Sequence, residues 1–118
     1  MQGMEGEMLK GHLDMIVLAA LSAAGSAHGY AIIEEIKRRS GGAFDLPEGT
    51  IYPALHRLEQ AGLLSSRWMT ADSGRRRRVY TLTKTGNRAL VERRAVWKQF
   101  SDAIGGLLGG TRPRENPA

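Results

Sequence analysis

The stretch that most constrains this chain runs from Glu48 to Gly62 and reads EGTIYPALHRLEQAG. Ile51, Leu55 and Leu58 recur at three- and four-residue steps, which places them on one apolar stripe of a helix. Gly49, Pro53, His56, Arg57 and Gln60 fall on the opposite side, with Thr50 and Tyr52 at its flanks. Pro53 has no amide hydrogen, so it belongs in the first turn or just after it, and the helix is predicted to start at Gly49 or Thr50. Gly62 is placed to end it in a left-handed conformation. Two readings suit a short helix with an apolar back and a mixed polar front. One is an ordinary amphipathic surface helix; the other is a helix able to enter a DNA major groove.

The segments before it are helical. From Met8, the residues Leu9, Leu13, Ile16, Val17, Ala20, Leu21 and Ala24 share one broad face, and Gly25 closes that helix. After a break at Ser26 to His28, a second helix is expected from Gly29 or Tyr30 to Arg39, with Ile32, Ile33 and Ile36 inward. Ser40-Gly41-Gly42 breaks it. Ala43 to Pro47 is then a linker whose Phe44 and Leu46 tuck against the core.

After Gly62 the period changes from helical to alternating. Leu63 to Thr70 reads as a strand with Leu64 and Trp68 on one face. Ala71-Asp72-Ser73-Gly74 is a turn, and Arg75 to Leu82 is the return strand with Tyr80 and Leu82 on the buried face. Thr83 is positioned to cap a long last helix. In it Leu90, Trp97 and Ile104 fall at one heptad position and Phe100 and Leu107 at another, with Arg93 interrupting the second. Gly105-Gly106 weakens its last turn and Gly109-Gly110 ends it. The expected class is α+β, mostly helical. Three helices, a two-stranded ribbon and a long C-terminal helix make a winged helix-turn-helix.

Composition narrows the partners. The chain has 118 residues, enough for one small core, and a formal net charge of +5. A basic balance favours an anionic partner such as nucleic acid. With no cysteine, disulfides, thiolate metal sites and cysteine nucleophiles are excluded. No apolar run approaches the roughly 18 residues needed to span a bilayer, and the first residues lack the order of a secretory signal. The expectation is a cytoplasmic protein without a membrane partner.

Arg75, Arg76, Arg77 and Arg78 carry the clearest chemistry. Guanidinium groups give bidentate bonds to phosphate and stay charged at any working pH. Charges this dense repel one another unless an anion neutralises them. The run is read as a wing contacting DNA phosphates or the minor groove, against the plain alternative of a solvated turn. Thr50 and Tyr52 hydroxyls suit phosphate oxygens near a helix N-terminus, and Arg57 and His56 suit a base edge or a phosphate. Tyr52 has a second reading, as an aromatic that braces the helix against the wing. Trp97 and Phe100 have three: a dimer seam, a ligand pocket at the dimer axis, or packing on the chain's own first helix. His12, His28 and His56 lack metal-site spacing and read as surface or capping residues. With no nucleophile-base set and no phosphate-binding loop, neither catalysis nor a cofactor is expected.

Taken together these segments resemble the PadR-like transcriptional regulators in their short form with one C-terminal helix. The resemblance is carried by LKGHLDMIVLAAL at Leu9 to Leu21, HGYAI at His28 to Ile32, GTIYPALHRLEQAGLL at Gly49 to Leu64 and RRRRVYTLTKTG at Arg75 to Gly86. It covers roughly residues 9 to 108. The short wing tip and Gly105-Gly106 depart from the family pattern, and the glycine pair bears on the length of a dimer seam. The resemblance implies a homodimeric repressor on a pseudo-palindromic double-stranded operator, with Tyr52 and Pro53 at or near the DNA. It implies dimerisation through the C-terminal helix together with the first. The residues expected at that seam or effector pocket are Leu9, Leu13, Leu90, Trp97, Phe100, Ile104 and Leu107. Some members take planar aromatic effectors between these helices through a tryptophan, here Trp97. The expected division is a tail at 1–7, a winged-helix DNA-binding domain at 8–83, a dimerisation helix at 84–108 and a disordered tail at 109–118. A winged-helix adaptor that binds an acidic protein partner is the alternative from another class.

Overall fold

A computed structural model describes residues 6–109, with side chains described from His12 onward. Most of both expected tails (1–5 and 110–118) and the side chain of Leu9 lie outside the described residues. Seven elements follow in order: α1 (Gly6–Ala24), β1 (Ser26–His28), α2 (Gly29–Arg39), α3 (Glu48–Gln60), β2 (Leu64–Thr70), β3 (Arg76–Leu82) and α4 (Lys84–Leu107). Helix α1 therefore begins two residues before the expected Met8. Helix α3 begins one residue before Gly49, where the Pro47 carbonyl accepts from the Thr50 and Ile51 amides at 3.0 and 3.1 Å. Pro53 consequently lies just past the first turn.

The three helical stripes meet as their periodicity requires. Val17, Leu18 and Leu21 of α1, Ile32, Ile33 and Ile36 of α2, and Ile51, Leu55 and Leu58 of α3 are all buried. Burying side chains of this kind contributes roughly 1.5–3 kcal/mol each before entropy is counted. Leu46 and Tyr80 close the core from the linker and the sheet. Gly62, at φ +82°, turns the chain from α3 into β2.

The sheet has three strands rather than the two of a bare hairpin, in the order β1-β3-β2 and antiparallel throughout. Ser26, Ala27 and His28 pair with Thr81, Tyr80 and Val79, and the Ser26 and Thr81 hydroxyls hydrogen-bond at 2.9 Å. Three residues are too few to display an alternating pattern, and their partner lies far along the chain. Within the wing, Leu64 pairs with Leu82 and Trp68 with Arg78. Leu64 is buried, but Trp68, on the same face, lies beyond the core and is 52% exposed.

Thr83 fastens α4 to this frame. Its hydroxyl accepts from the Gly86 amide at 2.9 Å and donates to the Gly62 carbonyl at 2.7 Å. Helix α4 runs through Gly105 and Gly106 to Leu107, and Gly109 then adopts φ +76°. Leu90, expected at a dimer seam, is 3% exposed and packs in the core of its own chain. Its place near the start of α4 puts it over the three-helix body, where a partner cannot reach it. Leu13 likewise packs against that core, partly buried. No helix among the described residues is long and apolar enough to cross a membrane.

Candidate nucleic-acid interface

The polar front of α3 faces outward. Gly49, Pro53, His56 and Gln60 are exposed and Thr50 is half-buried. Tyr52 is 42% exposed, and its ring lies against Gly29 so closely that a Cβ there would overlap it. Glycine at the first position of α2 thus lets the two helices lock through one aromatic ring. The brace that Tyr52 forms is against the start of α2.

The wing curls over the same side. Tyr30, Tyr52, Trp68 and the run Arg75 to Arg78 line one cleft of about 500 Å³ between α2, α3 and the hairpin. Strand alternation divides the four arginines. Arg76 and Arg78 lie over the Trp68 ring, with guanidinium carbons 4.9 and 5.4 Å from its centroid. Arg78 also reaches Glu59 of α3 at 3.7 Å, and the Ser66 hydroxyl donates to the same carboxylate oxygen at 2.7 Å. The wing is thereby tied to the helix beside it. Arg77 leaves the strand on the opposite face and borders the cleft beside His28, its guanidinium 3.0 Å from His28 Nε2.

His28 is placed between two donors. The Ala31 amide approaches Nδ1 at 3.3 Å and caps α2, while Arg77 approaches Nε2. A neutral ring has one lone pair for the two, so it accepts fully from one donor only. Burial, and secondarily Arg77, hold its pKa below the usual 6.5. Burial also raises the Tyr80 pKa, against an opposing pull from Arg78.

Arg57 does not join the cleft. Its guanidinium bonds the Asp14 carboxylate of α1, which Arg93 of α4 also approaches at 3.7 Å. One carboxylate thus links the first, third and fourth helices. Arg57 belongs with that ionic node rather than with the wing, and nothing in its sequence spacing indicated this, because Asp14 is 43 residues away.

The second exposed surface is apolar. Trp97, Phe100, Ile104 and Leu107 of α4 lie open, Phe100 at 55% and Leu107 at 82%. Trp97 meets His12 of α1 edge-on at 5.3 Å and Phe100 at 5.9 Å. With Asp14, Arg57 and Arg93 these aromatics border a hollow of about 620 Å³. Of the three readings of Trp97, packing on its own first helix is therefore realised in part, and the described residues leave the remaining surface open. Among the described residues no group of His, Asp and Glu could hold a metal ion.

Comparison with known proteins gives a consistent result. Residues 17–92 match the family described as the transcriptional regulator PadR-like family. The chain is 41% identical over 86 residues to the transcriptional regulator Rv3488 of Mycobacterium tuberculosis, covering 72% of this chain and 77% of that one. Among solved structures, it is similar to a PadR family transcriptional regulator from Eggerthella lenta, with 35% identity, a TM-score of 0.73 and 86% of each chain covered. It is also similar to a PadR-like transcriptional regulator from Bacillus cereus, with 29% identity and a TM-score of 0.77. That match covers 90% of this chain and 100% of the other.

Proposed function

The chain belongs to the PadR-like family of transcriptional regulators, and from that premise we propose that it is a cytoplasmic, homodimeric, sequence-specific DNA-binding repressor. The observation that carries this reading is the meeting of α3's open front and a basic, aromatic cleft on one side of the molecule. Helix α3 enters the major groove, with Thr50, Tyr52, Pro53 and His56 toward bases and phosphates. Arg75 to Arg78 grip the flanking backbone, a contact that is independent of base sequence. Arg57 contributes only if it leaves Asp14. Residues 8–83 form the DNA-binding unit and 84–108 the dimerisation helix.

Dimerisation through α4 is supported by its uncovered apolar residues, which water solvates poorly. Trp97, Phe100, Ile104 and Leu107 form the seam, beside Leu13 and Leu9 of α1. Two copies present two α3 helices to major grooves about one helical turn apart, so the operator is a pseudo-palindrome. A small aromatic effector held at Trp97 releases DNA to the extent that it prefers a dimer geometry the operator does not accept.

Two measurements on the purified chain test this together. Sedimentation at micromolar concentration is expected to give a dimer. Binding to mixed-sequence duplex DNA is expected to weaken steeply between ~50 and ~200 mM salt. A monomer, or binding indifferent to salt, would contradict the reading.

A further inference from the structure

Trp68 is a large aromatic side chain that the wing leaves half in water, although its strand and face match those of buried Leu64. Two guanidinium groups lie over its ring, those of Arg76 and Arg78, on alternate residues of the neighbouring strand. Two like charges brought to one ring need a reason to stay there. The negative face of the indole supplies one, and Glu59 supplies another on the Arg78 side.

The manner of holding matters. A carboxylate that pairs with arginine occupies the N–H edge that would otherwise bond phosphate. A ring beneath the guanidinium plane occupies only its face and leaves the five N–H donors at the edge unused. Among the described residues no carboxylate pairs with Arg76, and Glu59 approaches Arg78 only at 3.7 Å. By contrast Arg77, on the opposite face, already meets His28. The run of four arginines is therefore not uniform. Two of them are set over Trp68, and of these Arg76 keeps its bonding edge clear of any carboxylate among the described residues, whereas Arg78 shares its edge with Glu59 and the Tyr80 hydroxyl.

We propose that Trp68 is a positioning residue for DNA binding: its ring pre-orders Arg76 and Arg78 as a two-pronged phosphate clamp facing the α3 side. Long side chains that are already ordered lose less conformational freedom when they bind. Trp68 acts through the two arginines and contributes no charge of its own. This rests on the DNA-binding reading above.

A double-mutant cycle on duplex DNA at fixed salt tests it. Trp68→Ala is expected to weaken binding about tenfold in the otherwise native chain. In an Arg76→Ala, Arg78→Ala background the same change is expected to alter binding less than about twofold. Trp68→Phe, which keeps a weaker aromatic face, is expected to recover most of the loss and guards against a fold defect. In the free protein, the arginine side-chain protons of residues 76 and 78 should show upfield ring-current shifts that Trp68→Ala abolishes. A tenfold loss that persists without the two arginines would overturn the proposal and leave DNA binding intact. So would native affinity in Trp68→Ala. A native chain that binds no duplex at low salt would sink the underlying function first, and the role of Trp68 with it.

Discussion

The wing and the outer half of α4 are both exposed, and they are exposed in opposite ways. On the wing, charge is open but held in place: Arg76 and Arg78 rest on Trp68, Arg78 reaches Glu59, and Arg77 meets His28. On α4, apolar surface is open, and the described residues leave Phe100 more than half exposed and Leu107 almost wholly so. Exposed charge is stable in water and needs support only for direction, whereas exposed aromatics are unfavourable until another apolar surface meets them. The first pattern suits a polyanion that arrives and leaves; the second suits a copy of the same helix that stays. Asp14 lies in neither region and bonds Arg57 of α3 while approaching Arg93 of α4, so it ties the helical body together between them.

If that division is right, each region can be broken without the other. The largest effect is expected from Phe100→Glu combined with Ile104→Glu. Sedimentation should then give a monomer, and affinity for a two-half-site duplex should fall about 100-fold as binding of the second half-site ceases to be intramolecular. A variant that remains dimeric would move the interface elsewhere. Next is the replacement of Arg75 to Arg78 by alanine. Affinity for every sequence should drop by tenfold or more, and the slope of log affinity against log salt should flatten by about 0.9 for each phosphate that is no longer neutralised. The dimer should persist, and its dissociation would show that the regions are not separable.

A finer probe is Gly29→Ala, whose new methyl group displaces the Tyr52 ring. Alanine is the better helix former, which offsets the strain in overall stability by up to about 1 kcal/mol. Affinity for DNA is expected to fall about fivefold because the ring leaves the cleft. Unchanged affinity would reduce Tyr52 to packing alone. The smallest effect concerns His28. Its pKa is lower folded than unfolded, so the stability that its neutral ring contributes is present above about 6.5. That contribution is lost as pH falls through the depressed folded value. Urea titrations at descending pH should show a decline that His28→Asn removes, since asparagine keeps a cap without a titrating ring. A decline that persists in the variant would assign it to other groups.

Much of this was readable from spacing. The stripes of α1, α2 and α3, the stop at Gly62, the cap at Thr83 and the hairpin turn are local features, each set by residues a few positions apart. What escaped was non-local. Strand β1 exists because β3 pairs with it, and three residues carry no period of their own. Leu90 has heptad spacing with Trp97, yet the body of the domain covers it, because spacing along one helix does not say where a neighbouring element ends. Arg57 looked free on a polar face and is held by Asp14 from another helix. Trp68 kept the alternation of a core residue in a strand that had already left the core. At the candidate site, the arginine run and Tyr52 were legible as residue types. Strand alternation also divides the run between two faces; what holds each arginine was not legible, because it depends on residues from other elements.

Whether this chain reads sequence as a dimer is decided by selection from a randomised duplex library at ~150 mM salt, followed by sequencing of the retained DNA. A dimeric reader is expected to retain an inverted repeat whose half-sites are about one helical turn apart. Retention without any motif, through weak and salt-sensitive binding alone, would contradict that reading and leave a basic winged-helix surface suited to an acidic partner.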